Sequence, residues 1–582
     1  MFSRDPSDPV GEVLAANRNL FGAGLGFSAA MSILALTTSI YMLQVYDRVL
    51  TSRSEATLLL LTLMAVGALA VFGVLDSLRR RLFVRIGIRV GDALSARVLR
   101  AMVSTNAQAG AMQARSGLRD VESLRNFIGS TAFGALNDAP FLLIYFVILL
   151  WLHWLYMVVI VLGGLALFGI AVLNDRLTAP PLSQSIGLSM RAQAFADGGL
   201  RNSDVLEGMG ISGGFVQRWY SEWLQSLRFS ALSSERDARL SALSKVVRLI
   251  VQVALMATGA LLILDFRATG GVMIGATIIG SRALMPIETL ISSWKSVVAT
   301  RLAIGRINDL LNNAPKREEG MRLPAPKGHV RVGGVYYAAA RTRKTILSNV
   351  SFEILPGESL GVIGPSASGK STLARLLVGA WPASSGSVRL DGANIYSWPR
   401  QELSRYIGYL PQDVELFAGT VRENIARLGE DDPERVVRAA QLAHAHEMIL
   451  ALPKGYETEI GDSGHWLSGG QSQRIGIARA LYGDPRLVVL DEPNSSLDGA
   501  GEVALVETLS ELKQQGVTVV VVAHRPSVLA KTDKMLVLNP HGGVASFGPT
   551  QEVMQQYIPR EAPRPVVARP VSSPMTAEEQ VS

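Results

Sequence analysis

The chain has 582 residues, a formal charge of +7, 48% hydrophobic residues and no cysteine. The missing cysteines exclude disulfides and thiolate-bound metals. A basic excess in a soluble protein points to an acidic partner such as nucleic acid; here the arginines crowd beside long uncharged runs, which argues for membrane orientation instead and against a nucleic-acid partner.

Residues 1–19 carry Asp5, Asp8 and Glu12 rather than the basic head of a cleavable signal. The first apolar run, near Leu20–Tyr41, therefore reads as a retained anchor. A span needs about 20 mostly apolar residues, because the hydrocarbon core is about 30 Å thick. A second candidate covers Thr57–Leu75. From Ala139 to Leu173 there is no Asp, Glu, Lys or Arg. As one helix, those roughly 35 residues would reach about 52 Å, too long for a single crossing. The run reads as a helical hairpin that starts around Thr131 and turns near His153-Trp154, with Trp151, Trp154 and Tyr156 at headgroup level. Candidates at Val246–Leu264 and Gly271–Ile291 bring the spans to six.

The connections after the first, third and fifth spans are short, whereas those after the second and fourth run to about 60–70 charged, helix-like residues. Arg79, Arg80, Arg81, Arg85 and Arg89 follow the second span directly. Positive charge is retained on the cytoplasmic side, so both long connections and both termini are expected inside. Folded as paired helical extensions, each arm would project roughly 45 Å. In the last span Glu288 and Lys295 share nearly one helical stripe, with Arg282 elsewhere on the circumference. Such groups either line a polar translocation path or, for Lys295, snorkel to the interface.

Pro315, Pro324 and Pro326 mark a linker. Beyond it, short β-rich runs alternate with helical stretches. The strongest motif is Gly364-Pro365-Ser366-Ala367-Ser368-Gly369-Lys370-Ser371-Thr372, placed between the apolar run Leu360–Ile363 and a helical stretch. Glycines let the backbone wrap so that its N–H groups and the helix N-terminus face phosphates. Lys370 is expected to reach the β/γ-phosphates of ATP, and Ser371 to ligate Mg2+. A second strand ends in Asp491-Glu492, which suits Asp491 to hold Mg2+ and Glu492 to activate the attacking water. A third run, Val517–Ala523, delivers His524 towards the γ-phosphate. Leu467-Ser468-Gly469-Gly470-Gln471 precedes another helix and reads either as an N-cap or as an anion site.

Taken together, Gly364–Thr372, Gln412, Leu467–Gln471, Leu490–Glu492, Ser495–Asp498 and His524 resemble the full motif series of ATP-binding cassette (ABC) transporters. The resemblance implies a homodimer with ATP sandwiched head to tail. Lys370, Glu492 and His524 would be catalytic, and Gly364–Thr372 with Gln412 would hold ATP. Ser371, Gln412 and Asp491 would hold Mg2+. Ser468, Gly469, Gly470, Gln471 and Asp498 would act in trans on the partner's nucleotide. Thr458–Gly464 is similar to an exporter loop that contacts the cytoplasmic helices. Tyr41–Leu50, Ser52–Ser54, Arg282–Pro286 and Ser293–Lys295 resemble type I protein-secretion ATPases, most closely those that secrete proteases and other repeats-in-toxin proteins. That group implies unfolded polypeptide cargo, a periplasmic adaptor (membrane fusion) protein and an outer-membrane channel. Its place would be the bacterial inner membrane, multi-pass, with the nucleotide-binding domain in the cytoplasm. Alternating access, driven by ATP binding and reset by hydrolysis, is the implied mechanism. A lipid, drug or small-peptide exporter is the alternative within transport.

The expected fold is multi-domain: a six-helix α-helical transmembrane domain with long cytoplasmic extensions, then an α/β P-loop nucleotide-binding domain. The expected boundaries are a cytoplasmic N-terminal segment at 1–19, the transmembrane domain at 20–311 and a linker at 312–329. The nucleotide-binding domain follows at 330–558, and a disordered tail at 559–582. One departure from the family stands out. Where relatives stack adenine on an aromatic, this chain has Ala339; Tyr337 either substitutes for it or is an ordinary strand residue.

Overall fold

The computed structural model describes residues 8–109, 116–315, 323–339, 344–429, 432–461 and 467–557. The chain divides between Pro315 and Lys316 into a helical unit and an α/β unit. Part of the expected exporter loop (Asp462, Ser463, Gly464) and the tail from 558 lie outside the described residues.

Among the described residues, six helices of the first unit are long and apolar enough to cross a membrane: Arg18–Ser52, Glu55–Asn106, Thr131–Leu152, Trp154–Leu200, Ser212–Leu264 and Gly270–Ser292. They match the six expected spans. The hairpin turns at His153, whose backbone is extended and whose Nδ1 accepts from the Leu155 N–H at 3.2 Å, capping the new helix. Trp151 and Trp154 are exposed there, as expected, but Tyr156 is fully buried between spans rather than at the surface. Gly259 makes room for it, since a Cβ there would come within 2.8 Å of the tyrosine hydroxyl.

The second long connection forms two extended arms, within Trp154–Leu200 and Ser212–Leu264. Pro180 and Pro181 sit inside the first arm. Pro181 has no N–H for the Leu177 carbonyl, and Arg236 of the facing arm donates to that oxygen instead, at 2.9 Å. The helix thus continues past a residue that ordinarily breaks it. The first long connection differs from the expected pair of equal arms. Glu55–Ala109 is one continuous helix, but its partner is only Gly117–Ile128, stopped at Gly129 before Ser130 caps a new helix at Thr131.

The last span also departs from expectation. Its helix ends at Ser292 and a second begins at Trp294, so Glu288 and Lys295 do not share one continuous stripe. Asn174 donates to the Ile291 carbonyl at 3.4 Å at this break. Glu288 is paired with Arg248 at 2.7 Å, and Lys295 donates to Ser234 at 2.5 Å.

In the α/β unit β1 (Val330–Ala338), β2 (Thr345–Ile354), β4 (Ser385–Leu390) and β5 (Ala393–Asn394) form an antiparallel sheet in the order β2-β1-β4-β5. The main sheet combines β3 (Ser359–Ile363), β6 (Ile407–Leu410), β9 (Leu487–Asp491), β10 (Thr518–Val522), β11 (Lys534–Leu538) and β12 (Val544–Pro549). Its order is β12-β11-β3-β10-β9-β6, while β7 (Gly419–Thr420) and β8 (Glu459–Ile460) pair separately. Strands β3, β6, β9, β10 and β11 run parallel. Both faces of β9 and β10 are covered, so every residue in them is buried, and their unbroken apolar runs reflect that. Register brings Val522 opposite both Val362 and Asp491, and Leu410 opposite Leu490. Four neighbouring strands therefore release their loops along one edge.

Candidate functional site

That edge collects the expected chemistry. β3 leads into Gly364–Gly369 and then the Lys370–Leu377 helix. Gly369 has φ +92, and a Cβ there would come within 2.7 Å of Leu347, so the tight loop excludes a side chain. Pro365, Ser366 and Ala367 are exposed at the rim; Ser368, Gly369, Lys370 and Thr372 are buried beneath it. Lys370 Nζ donates to the Gly364 and Pro365 carbonyls at 2.9 and 3.0 Å, folding back across the loop. Burial pulls its pKa down, while Glu492 and Asp491 oppose that shift.

β9 ends in Asp491, which is 1% exposed. It lies near the Ser371 hydroxyl, but neither carboxylate oxygen has a hydrogen bond of normal geometry. Burial pushes this carboxyl above the ordinary range, against the pull of Ser371, and the charge of Glu492 adds to the rise. Two buried oxygens without partners beside a hydroxyl suit a hard cation, which takes oxygen ligands and completes its shell with phosphates and water. The residues present therefore fit Mg2+.

Glu492 has φ +51, a left-handed conformation that costs a non-glycine residue energy; its N–H is held by the Val522 carbonyl at 2.9 Å. Its carboxylate accepts from Gln412 Nε2 at 3.2 Å and lies 3.6 Å from His524 Nε2. Ser371 donates to the other end of the Gln412 amide at 3.4 Å. The strand ends thus bring Lys370, Ser371, Gln412, Asp491, Glu492 and His524 together.

Ser468 caps the Gly469–Leu481 helix: its hydroxyl accepts from the Gln471 N–H, and Gln471 Oε1 accepts from the Ser468 N–H. The N-cap reading holds, and it leaves the first-turn N–H groups of Gly469 and Gly470 without intrahelical acceptors, so an anion site is compatible with it. A Cβ on Gly470 would meet the Ser496 carbonyl at 3.1 Å. Asp498 caps the Gly499–Gln514 helix, accepting from Gly501 N–H at 2.8 Å and from Arg474 at 3.2 Å. The Gly501 N–H is the largest influence holding its pKa down. A groove of 570 Å³ is lined by Gln412, Gly469, Gln473, Glu492 and Ser495.

Several residues here escaped the motif reading. Gln473 is 2% exposed and donates to the Glu492 carbonyl at 3.3 Å. Its only sequence signal is a polar residue on the otherwise apolar buried face of the helix. Arg427 donates to the Arg479 and Ala480 carbonyls, both at 2.9 Å, closing the C-terminal end of the same helix. It also donates to the Ile407 carbonyl at 3.2 Å and to the Ser404 carbonyl. Burial pulls its pKa down to about 10. Arg479 donates to the Glu415 carbonyl at 3.0 Å and lies over the Phe417 ring. Gly476 lets the segment after Gln412 pack closely, since a Cβ would come within 2.7 Å of Val414. Tyr337 is a core residue: 7% exposed and stacked on Trp381 at 5.1 Å, with Arg375 over the same Trp381 ring. In this conformation its ring is not available to a nucleotide base.

Comparison with known proteins places this geometry. The ABC transporter family model matches residues 347–495. The type I secretion system ATP-binding protein PrsD of Rhizobium meliloti is 40% identical over 557 residues, covering 95% of each chain. The leukotoxin translocation ATP-binding protein LktB of Mannheimia haemolytica is 29% identical over 92% of this chain and 77% of its own. A bacterial Atm1-family ABC exporter solved with ATP bound shares the fold, with a TM-score of 0.81 at 22% identity over 93% of this chain and 97% of its own. The chain belongs to the ABC transporter family, among the ATP-binding proteins of type I secretion systems.

Proposed function

We propose that this chain is one protomer of a homodimeric exporter that couples hydrolysis of Mg-ATP to the passage of unfolded polypeptide across a bacterial inner membrane. Residues 20–311 would form the transmembrane domain and 330–558 the nucleotide-binding domain, joined by 312–329. The observation that carries the reading is the single sheet edge bearing Lys370, Gln412, Asp491, Glu492 and His524 in a chain whose described residues also include six apolar spans.

In this reading the loop Gly364–Thr372 wraps the phosphates, and Lys370 swings from its carbonyl partners to the β/γ-phosphates. Ser371, Gln412 and Asp491 would hold Mg2+, which when bound would supply charge neutralisation at the transferring phosphoryl group. Glu492 orients and deprotonates the attacking water. His524, beside Glu492, fixes the γ-phosphate. Gly469 and Gly470, with Ser468, Gln471 and Asp498, would face the partner's nucleotide and complete its anion cradle. Contacts made to both chains only in the closed dimer are what shift the equilibrium towards closure. A periplasmic adaptor and an outer-membrane channel would continue the path.

The names of PrsD and LktB support the secretion assignment. Co-expression with an adaptor, a channel and a secreted protein bearing a C-terminal signal tests it. Export is expected only when all components are present and Glu492 is intact. Export independent of adaptor and channel would contradict the secretion reading.

A further inference from the structure

The segment Tyr41–Leu50, which resembles secretion ATPases in sequence, has no role in the nucleotide chemistry. Within it, Val45–Val49 forms a π-helical turn, a feature that holds one extra residue and is frequent at functional positions. Thr51 Oγ donates to the Asp47 and Arg48 carbonyls at 2.8 and 3.0 Å, stabilising the widened turn, and Arg53 at φ +52 ends the segment.

The widened turn aims Asp47 at the beginning of the last span. Asp47 Oδ1 accepts from the Gly271 N–H at 3.0 Å, and Oδ2 accepts from Thr269 Oγ at 2.6 Å. Thr269 is itself the N-cap of that span, accepting from Val272 N–H. The first span therefore supplies part of the cap of the last. A carboxylate is favoured there because the first N–H groups of a helix have no internal acceptors and carry partial positive charge. The fit is close: a Cβ on Gly271 would lie 2.6 Å from the Asp47 carboxylate. Both ends of the contact adjoin short connections, at the end of the spans opposite the long ones.

We propose that Asp47 is a latch that holds the outer ends of the first and last spans together and lets go once in each transport cycle. The proposal rests on the exporter reading, in which the outer side must open to release cargo. Relaxation of the π turn to an α turn would rotate Asp47 by roughly 100° about the helix axis and withdraw it from Gly271. The turn and the cap thus form one two-state element.

The chain has no cysteine, so paired substitutions report on this contact without background. In full-length protein in vesicles, an Asp47→Cys/Gly271→Cys pair should form a disulfide readily at rest. Trapping with ATP and orthovanadate should reduce its yield at least about fivefold. Separately, Asp47→Ala and the near-isosteric Asp47→Asn should hydrolyse ATP but export at least about tenfold less per ATP, with Asn milder because it keeps one acceptor. Equal cross-linking in both states would make the contact a fixed strut and overturn the latch, as would normal export per ATP in Asp47→Ala. Failure of the unmodified chain to hydrolyse ATP would instead sink the exporter reading, and the resting-state disulfide would still form.

Discussion

Gln412 holds the Glu492 carboxylate, with its amide nitrogen 3.2 Å from Oε2. The other end of the same amide accepts from Ser371. One side chain thereby spans the groups assigned to the metal and to the attacking water. Glu492 is held in a left-handed backbone conformation by its N–H bond to Val522, so the carboxylate is positioned by the sheet as well as by its neighbours.

Replacing that carboxylate by an amide removes the base and little else. Glu492→Gln should lower steady-state ATP hydrolysis by about 10²–10⁴. Nucleotide binding, measured by retention of labelled ATP, should persist. An unchanged turnover number would remove Glu492 from its role.

Arg427 closes the end of the helix whose start carries Ser468, and the same guanidinium reaches carbonyls at the entry to β6, whose exit carries Gln412. Arg427→Ala would take the donor from three part-buried carbonyls, those of Ile407, Arg479 and Ala480. It should destabilise the α/β unit by about 2–4 kcal/mol. Arg427→Lys should recover only part, because one ammonium cannot reproduce the planar fork. Thermal unfolding of the full chain in detergent measures both; an unchanged midpoint in the alanine variant would count against the cap.

The elements easiest to read in the sequence were those dictated by local pattern. Mostly apolar length marked the spans, and His153-Trp154 marked the hairpin turn, because an apolar run too long for one crossing has to reverse. The phosphate loop and the strand-end residues were equally legible, since buried parallel strands leave unbroken apolar runs whose ends mark the loops that carry the chemistry. The features that stayed hidden depend on partners distant in sequence. Glu288 meets Arg248 on another helix, Asp47 meets Gly271 across 224 residues, and Arg427 meets a helix end 52 residues away. Tyr337 lay on a strand whose alternation did not say which face was covered; Trp381 covers it. The break at Ser293 carries no proline or glycine to announce it.

Asp491 links the metal assignment to pH. Its folded pKa is raised, chiefly by burial, so at mildly acid pH it holds a proton more readily than an exposed carboxyl. Mg2+ must displace that proton. Apparent Mg2+ affinity should therefore rise with pH from the ordinary carboxylate range up through the elevated pKa and then level off. Its window should sit higher than that of a solvent-exposed aspartate. Titration of Mg2+-dependent ATP binding across that range measures it. Asp491→Asn should abolish the slope, and the same slope in that variant would place the titrating group elsewhere.

In the proposed dimer each ATP would be gripped by the phosphate loop of one chain and the Ser468–Gln471 segment of the other. Lys370→Ala and Ser468→Arg chains, each purified alone, should be nearly inactive in lipid. Co-expressed, they form mixed dimers in which one site is whole, since the intact loop of one meets the intact helix start of the other. Random pairing should restore about a quarter of the unmodified rate of ATP hydrolysis. Mixed dimers as inactive as either parent, or full activity in one of the parents, would contradict the shared site.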